Sequence, residues 1–151
     1  DAVYAAAPGA DLVVMAAAVA DFRPRHPAEH KLKKARGVPT IELVENPDIL
    51  AGLRAVAPHA LVAGFAAETD PGAEDPAAKL LRKGADFLVW NDVSKRGVGF
   101  GADDNEVTVH RRTGAPVHVS RRPKERVAAA LFDLLSEALS DRERTAAGPV
   151  G

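Results

Sequence analysis

From Asp11 to Ala20 the chain is apolar at almost every position, with none of the alternation that marks a strand wetted on one side. A strand of this kind must be covered on both faces, as in a parallel sheet. Leu61 to Ala66 and Asp86 to Trp90 read the same way. A shorter strand is predicted over Thr40 to Val44. It leads into Asn46-Pro47-Asp48, where Asn46 can cap a helix and Pro47 can occupy its first turn. Ile49, Leu50, Leu53 and Val56 then recur at helical spacing until Pro58. A second helix is expected over Glu74 to Lys83, closed by Gly84, and Asp1 to Ala7 reads as the end of another, stopped by Pro8 and Gly9.

Alternating strands and helices in short units predict an α/β fold: a Rossmann-like open, mostly parallel sheet with helices on both faces. The rhythm breaks after Asn91. Ser94 to Asp104 is glycine-rich and irregular, and Glu106 to His110 and Pro116 to Ser120 alternate around Thr113-Gly114 as a β-hairpin. A final helix is predicted from about Pro123 to Leu139, with Val127, Ala130, Leu131, Leu134, Leu135 and Ala138 on one face. Residues 1–140 read as one domain and the tail from Asp141 to Gly151 as disordered. A chain that opens inside a helix is expected to lack the N-terminal part of its domain.

Composition removes several classes of function. Lys plus Arg number 20 against 21 Asp plus Glu, which speaks against a general nucleic-acid binder or a protein held to acidic membranes, so any anion site must be local. The absence of cysteine excludes disulfides, thiolate nucleophiles and thiolate metal sites. No apolar run reaches the ~20 residues of a membrane span, and the expected location is the cytoplasm. His26, His30, His59, His110 and His118 lack metal-ligand spacing. Neither G-x-G-x-x-G nor G-x-x-x-x-G-K-[ST] occurs, so ordinary dinucleotide or P-loop binding has no visible support.

Four stretches can carry chemistry, and each has a plainer reading beside it. In the first, Met15 to Lys34, an apolar run delivers Asp21 and Phe22 to a strand's carboxyl end, where functional groups gather in such sheets. A proline-broken segment and Lys31, Lys33 and Lys34 follow. Equally, Asp21 can hydrogen-bond its own loop, Phe22 can plug a core edge, and the lysines can be a solvated run. In the second, Glu45 to Asp48, the free amides of a helix start suit phosphate, although Asp48 repels an anion unless magnesium or a lysine intervenes; a well-capped helix is the alternative. In the third, Gly64 to Asp70, Phe65 followed by two alanines leaves room for a flat ligand, or Phe65 is core. In the fourth, Lys79 and Lys83 stand one helical turn apart, with Asp75 available to pair Lys79 and the helix dipole to explain Lys83.

The stretch AAAVADFRP with the following HKLKK, then ENPDIL, GFAAETD, AKLLRK, NDVS and GFGADDNEV, in this order and spacing, resembles the phosphopantothenoylcysteine synthetase (phosphopantothenate–cysteine ligase) domain. In bacteria that domain is commonly the carboxyl-terminal half of a bifunctional coenzyme A biosynthesis protein. The resemblance covers about Ala10 to Leu139. It implies a CTP-dependent ligase: the phosphopantothenate carboxylate attacks the α-phosphate of CTP to give an acyl-cytidylate and pyrophosphate, and the cysteine amine then displaces CMP. Magnesium accompanies the triphosphate. The family's CTP contacts fall on Asp21, Lys31, Pro47, Asp48, Ile49, Leu50, Phe65, Lys79 and Lys83, with Lys31 the catalytic cation. The alanines around Ala18 resemble the segment lining the acyl-cytidylate pocket.

The same resemblance implies a homodimer, for which the Glu106 to Ser120 hairpin is the candidate interface element, and a phosphopantothenoylcysteine decarboxylase domain in the full-length protein. The family's domain begins with a strand, a glycine-rich turn and an asparagine that do not precede Asp1, so the isolated chain is expected to lack full ligase activity. The alternative is a non-catalytic nucleotide-binding or assembly module of the same fold, with a plain NAD(P) domain a weaker third.

Overall fold

The structure, a computed structural model, describes residues 1–34, 37–70, 72, 74–95 and 101–146. The elements in order are α1 (Ala2–Ala6), β1 (Leu12–Met15), β2 (Phe22–Pro24), β3 (Leu43–Glu45), α2 (Ile49–Val56), β4 (Leu61–Glu68), α3 (Pro76–Arg82), β5 (Phe87–Asp92), β6 (Asp104–Arg111), β7 (Val117–Pro123) and α4 (Lys124–Ala146). A five-stranded sheet runs in the order β1-β4-β5-β6-β7. β1 and β5 lie parallel to β4, while β6 and β7 join antiparallel, so the predicted hairpin extends the same sheet rather than leaving it.

Strand alternation sorts the core onto two faces. Val62, Ala66, Leu88 and Trp90 meet Leu53 of α2 and Leu80 of α3 on one face; Leu61, Ala63, Phe87, Val89, Val107, Val109 and Val119 meet Val127, Leu131 and Leu135 of α4 on the other. The unbroken apolar runs at Leu61 to Gly64 of β4 and Phe87 to Trp90 of β5 follow from this double cover, since both sides of these stretches are buried. Gly64 has a steric reason: a Cβ there would lie 2.5 Å from Leu50 Cδ2, so its absence lets α2 settle against β4.

Three predictions need correction. The first strand stops at Met15, and Ala16 to Ala20 are exposed. Alanine methyls carry too little apolar area to hold a strand in a core without a partner, and β4 pairs with β1 only from Leu61 to Gly64. β1 itself is half-buried and lies at one end of the strand order rather than deep inside the sheet. The predicted strand ending at Val44 is β3, which pairs antiparallel with β2 in a separate ribbon, Phe22 opposite Glu45 and Pro24 opposite Leu43. The cap of α2 is Asp48, whose Oδ1 accepts from Ala51 N at 3.1 Å. Asn46 instead donates its side-chain amide to Ala20 O at 2.7 Å and accepts from Arg23, tying the ribbon to the alanine loop.

The last helix runs on to Ala146, through the first part of the segment expected as a tail. Residues 96–100 of the glycine-rich stretch and 147–151 lie outside the described residues. Among the described residues no helix is long and apolar enough to cross a membrane.

Candidate functional site

The carboxyl ends of β1, β4 and β5 open into a cleft of about 570 Å³. Its walls are Met15 to Asp21 leaving β1, Asn46 to Leu50 at the start of α2, Phe65 to Glu68 at the end of β4, Lys79 on α3 and Lys83 capping it, and Leu88 and Asn91 on β5. Ala18, Asp21, Pro47, Asp48, Ile49, Leu50, Phe65, Lys79 and Lys83, chosen from sequence, are therefore brought together. Lys31 is not among them: it stands exposed on the stretch joining β2 to β3.

Both helix lysines are engaged across the cleft. Lys83 Nζ lies 2.6 Å from Asp48 Oδ2, which joins α3 to the start of α2. Lys79 pairs with Glu68 at the end of β4 and lies 3.4 Å from Glu74; the pairing with Asp75 expected from sequence does not form. Asp75 is used otherwise, as the cap of α3, accepting from Ala77 N and Ala78 N. Glu74 is shared with Arg82 at 2.6 Å, and the Arg82 guanidinium holds its carboxyl below the usual range.

Burial acts to raise the pKa of Asp48, but the Lys83 ammonium and the Ala51 N–H together outweigh it and hold the carboxyl below its ordinary value. A carboxylate depressed in the folded state stabilises the fold above its unfolded pKa and loses that contribution as pH falls through the folded one. Asp48→Asn keeps a good helix cap while removing the charge. Urea midpoints of the variant should therefore fall less steeply than the parent's below about pH 4, and superimposable pH profiles would show that the pair contributes nothing to folding.

Phe65 is 39% exposed, so it is not simply core; one side of it faces the cleft and the other an apolar cavity of about 270 Å³ beneath α4. Ala66 and Ala67 beside it leave the edge of β4 open. A residue to which sequence reasoning gave no role in the site is Asn91, read as the end of a strand and as part of the NDVS stretch. It pairs in register with Ala67, and its Oδ1 is buried with no hydrogen-bond partner among the described residues. A buried carbonyl oxygen facing a cleft is an acceptor waiting for a donor. The available signal was a polar residue directly following four fully buried positions at a strand's carboxyl end.

The arrangement can seat an anion beside paired ammonium groups, stack a flat ring on Phe65 and offer one unpaired acceptor. Among the described residues no group of three or more His, Asp or Glu side chains could hold a metal by itself.

A family model, the DNA/pantothenate metabolism flavoprotein C-terminal domain, matches residues 1–139. The coenzyme A biosynthesis bifunctional protein CoaBC of Bacillus subtilis is 38% identical over 137 residues, covering 91% of this chain and 33% of that protein. Its counterpart in Mycobacterium bovis is 41% identical over 146 residues, covering 89% of this chain and 35% of that protein. The chain thus spans about a third of the length of these curated relatives. The crystal structure of the C-terminal domain of a CoaBC protein superimposes with TM-score 0.65 at 33% identity, over 87% of this chain and 58% of that one. The DNA/pantothenate metabolism flavoprotein from Streptococcus pneumoniae shares the fold, with TM-score 0.71 at 16% identity over 91% of this chain and 67% of that one. The match along residues 1–139, on a sheet whose carboxyl edge carries the cleft, makes this chain a member of the DNA/pantothenate metabolism flavoprotein C-terminal domain family.

Proposed function

We propose that this chain carries the CTP-dependent ligation of 4'-phosphopantothenate with cysteine, a step of coenzyme A biosynthesis. The observation that supports this most is the convergence in one cleft of Asp48, Phe65, Lys79 and Lys83 from three separate elements, in a chain related to bifunctional coenzyme A biosynthesis proteins. A carboxylate attacking a phosphate brings two anions together, so the site needs cations where charge builds on the α-phosphate. Lys79 on α3, Lys83 at its carboxyl-end cap and Lys31 on the stretch between β2 and β3 supply them. Phe65 stacks the cytosine, and Ala16 to Ala20, small and exposed, leave space for the acyl-cytidylate. Expulsion of pyrophosphate completes the first step; the cysteine amine then attacks the acyl carbon and CMP departs.

Magnesium fits this site as a companion of the triphosphate rather than as a resident of a protein cage, since the cleft carboxylates Asp21, Asp48 and Glu68 do not form a group of three that could hold a metal among the described residues. Bound there, it would offset charge on the phosphates, with Asp48 the side chain best placed to hold it. The protein is proposed to work as a homodimer joined to a decarboxylase domain. A non-catalytic nucleotide-binding module of the same fold is the alternative. Pyrophosphate release from CTP that requires both phosphopantothenate and magnesium supports the ligase; CTP binding without release supports the module.

Nucleotide choice should centre on the end of β4. A base read by buried groups is selective because the wrong base leaves donors or acceptors unpaired, at about 1–3 kcal/mol each. Phe65→Ala is expected to weaken CTP binding more than it lowers the urea midpoint, and equal affinity of the parent for ATP and CTP would remove the claim of selectivity.

A further inference from the structure

Lys79 is held in a way that the proposed chemistry cannot leave unchanged. Its ammonium pairs with Glu68, lies 3.4 Å from Glu74 and sits 5.6 Å from the centroid of the Trp90 ring. Glu74 is also bound by Arg82 at 2.6 Å, so Glu68 is the principal counter-charge of Lys79. A phosphate entering the cleft at Lys79 meets the Glu68 carboxylate as a like charge, and the two compete for the same ammonium. The indole face carries no net charge. It attracts the ammonium through its quadrupole and does not repel a phosphate, so it can keep its contact whichever anion is bound.

The ring is itself immobile. Trp90 is 7% exposed and its backbone is paired on both sides, with Ala66 of β4 and Thr108 of β6. His110 meets the ring edge-on at 6.3 Å and 72°. Lysine, by contrast, is a point charge on a flexible stem whose direction depends on what surrounds it.

We infer that Trp90 is a positioning residue of this site, its fixed indole face keeping the Lys79 ammonium aimed into the cleft when a phosphate replaces Glu68 as its partner. The inference rests on the nucleotide reading above and adds to it a residue outside the cleft wall. It also supplies a reporter, because Trp90 is the one tryptophan of the chain.

The test compares binding of CTP and of cytidine, which lacks phosphates, to the parent protein, Trp90→Leu, Trp90→Phe, Lys79→Met and the Trp90→Leu/Lys79→Met double variant. Trp90→Leu is expected to weaken CTP about tenfold, within the range of a partly desolvated cation–π contact, and to leave cytidine unchanged. Trp90→Phe, which keeps a ring, should recover most of the loss, and Trp90→Leu should add nothing in the Lys79→Met background. CTP should change the Trp90 emission of the parent and leave that of Lys79→Met unchanged. Equal weakening of CTP and cytidine, or a Trp90→Leu effect that persists without Lys79, would reduce Trp90 to core packing and overturn the inference while the nucleotide reading stands. Failure of the parent to bind CTP overturns the nucleotide reading and this inference with it.

Discussion

Lys31→Ala is expected to slow formation of the acyl-cytidylate by roughly 10²–10³, or about 3–4 kcal/mol, while leaving cysteine attack on preformed intermediate far less affected. Lys79 and Lys83 are already committed to Glu68 and Asp48, whereas Lys31 has no ion pair among the described residues. It stands on the stretch that leaves β2 and returns at β3, clamped at its base by the Arg25–Glu42 ion pair and by Arg25 N donating to Glu42 O. Beyond that clamp the described residues of the stretch are exposed, with Leu32, Val38 and Ile41 all lacking cover. A segment with so little to hold it down is free to close over a bound nucleotide. A lysine that arrives with closure acts mainly once water is expelled, and so favours the transition state over the bound substrate. Lys33→Ala and Lys34→Ala should do less. Pre-steady-state pyrophosphate release, set beside a single turnover started from the intermediate, decides it; an equal loss in both steps makes Lys31 an ordinary solvated lysine.

The largest loss of stability is expected from Leu53→Ala, about 2–5 kcal/mol, read from urea denaturation. Leu53 is fully buried between α2 and the sheet, with Val62 and Leu88 in the same cluster. Its removal deletes contacts that α2 cannot replace, because Gly64 already lets that helix approach as closely as Leu50 permits. A loss below about 1 kcal/mol would mean that the helix collapses into the gap. Since the start of α2 carries Asp48, the surviving folded fraction should also show a weakened Asp48–Lys83 pair.

The parts of this fold that could be read in advance are those in which one physical demand dominates. The first four residues of β4 and of β5 are buried on both faces, so their apolar runs admit little else, and α2 shows its face through Leu50, Leu53 and Val56. Ala16 to Ala20 misled because composition alone cannot separate a buried strand of alanines from a loop kept small to make space. The ribbon of β2 and β3 was hidden for a related reason: each strand is three residues long and mostly exposed, and pairing rather than burial defines it. At the site, the lysines were legible from helical spacing, but their partners were not. Glu68 reaches Lys79 only because β4 ends beside α3, a fact of topology, and Asp75 was unavailable because the backbone of α3 claimed it first.

The unpaired Oδ1 of Asn91 sets the interests of the empty protein against those of the occupied one. Among the described residues no donor replaces the water that folding strips from this oxygen, so the free state is locally frustrated. An apolar side chain of similar size, as in Asn91→Leu, would remove that conflict. A search for variants that survive heating should therefore enrich leucine or methionine at this position, and those variants should hold ligand less well. Ranked by melting temperature without ligand they would look like improvements; ranked with saturating ligand, the order should reverse.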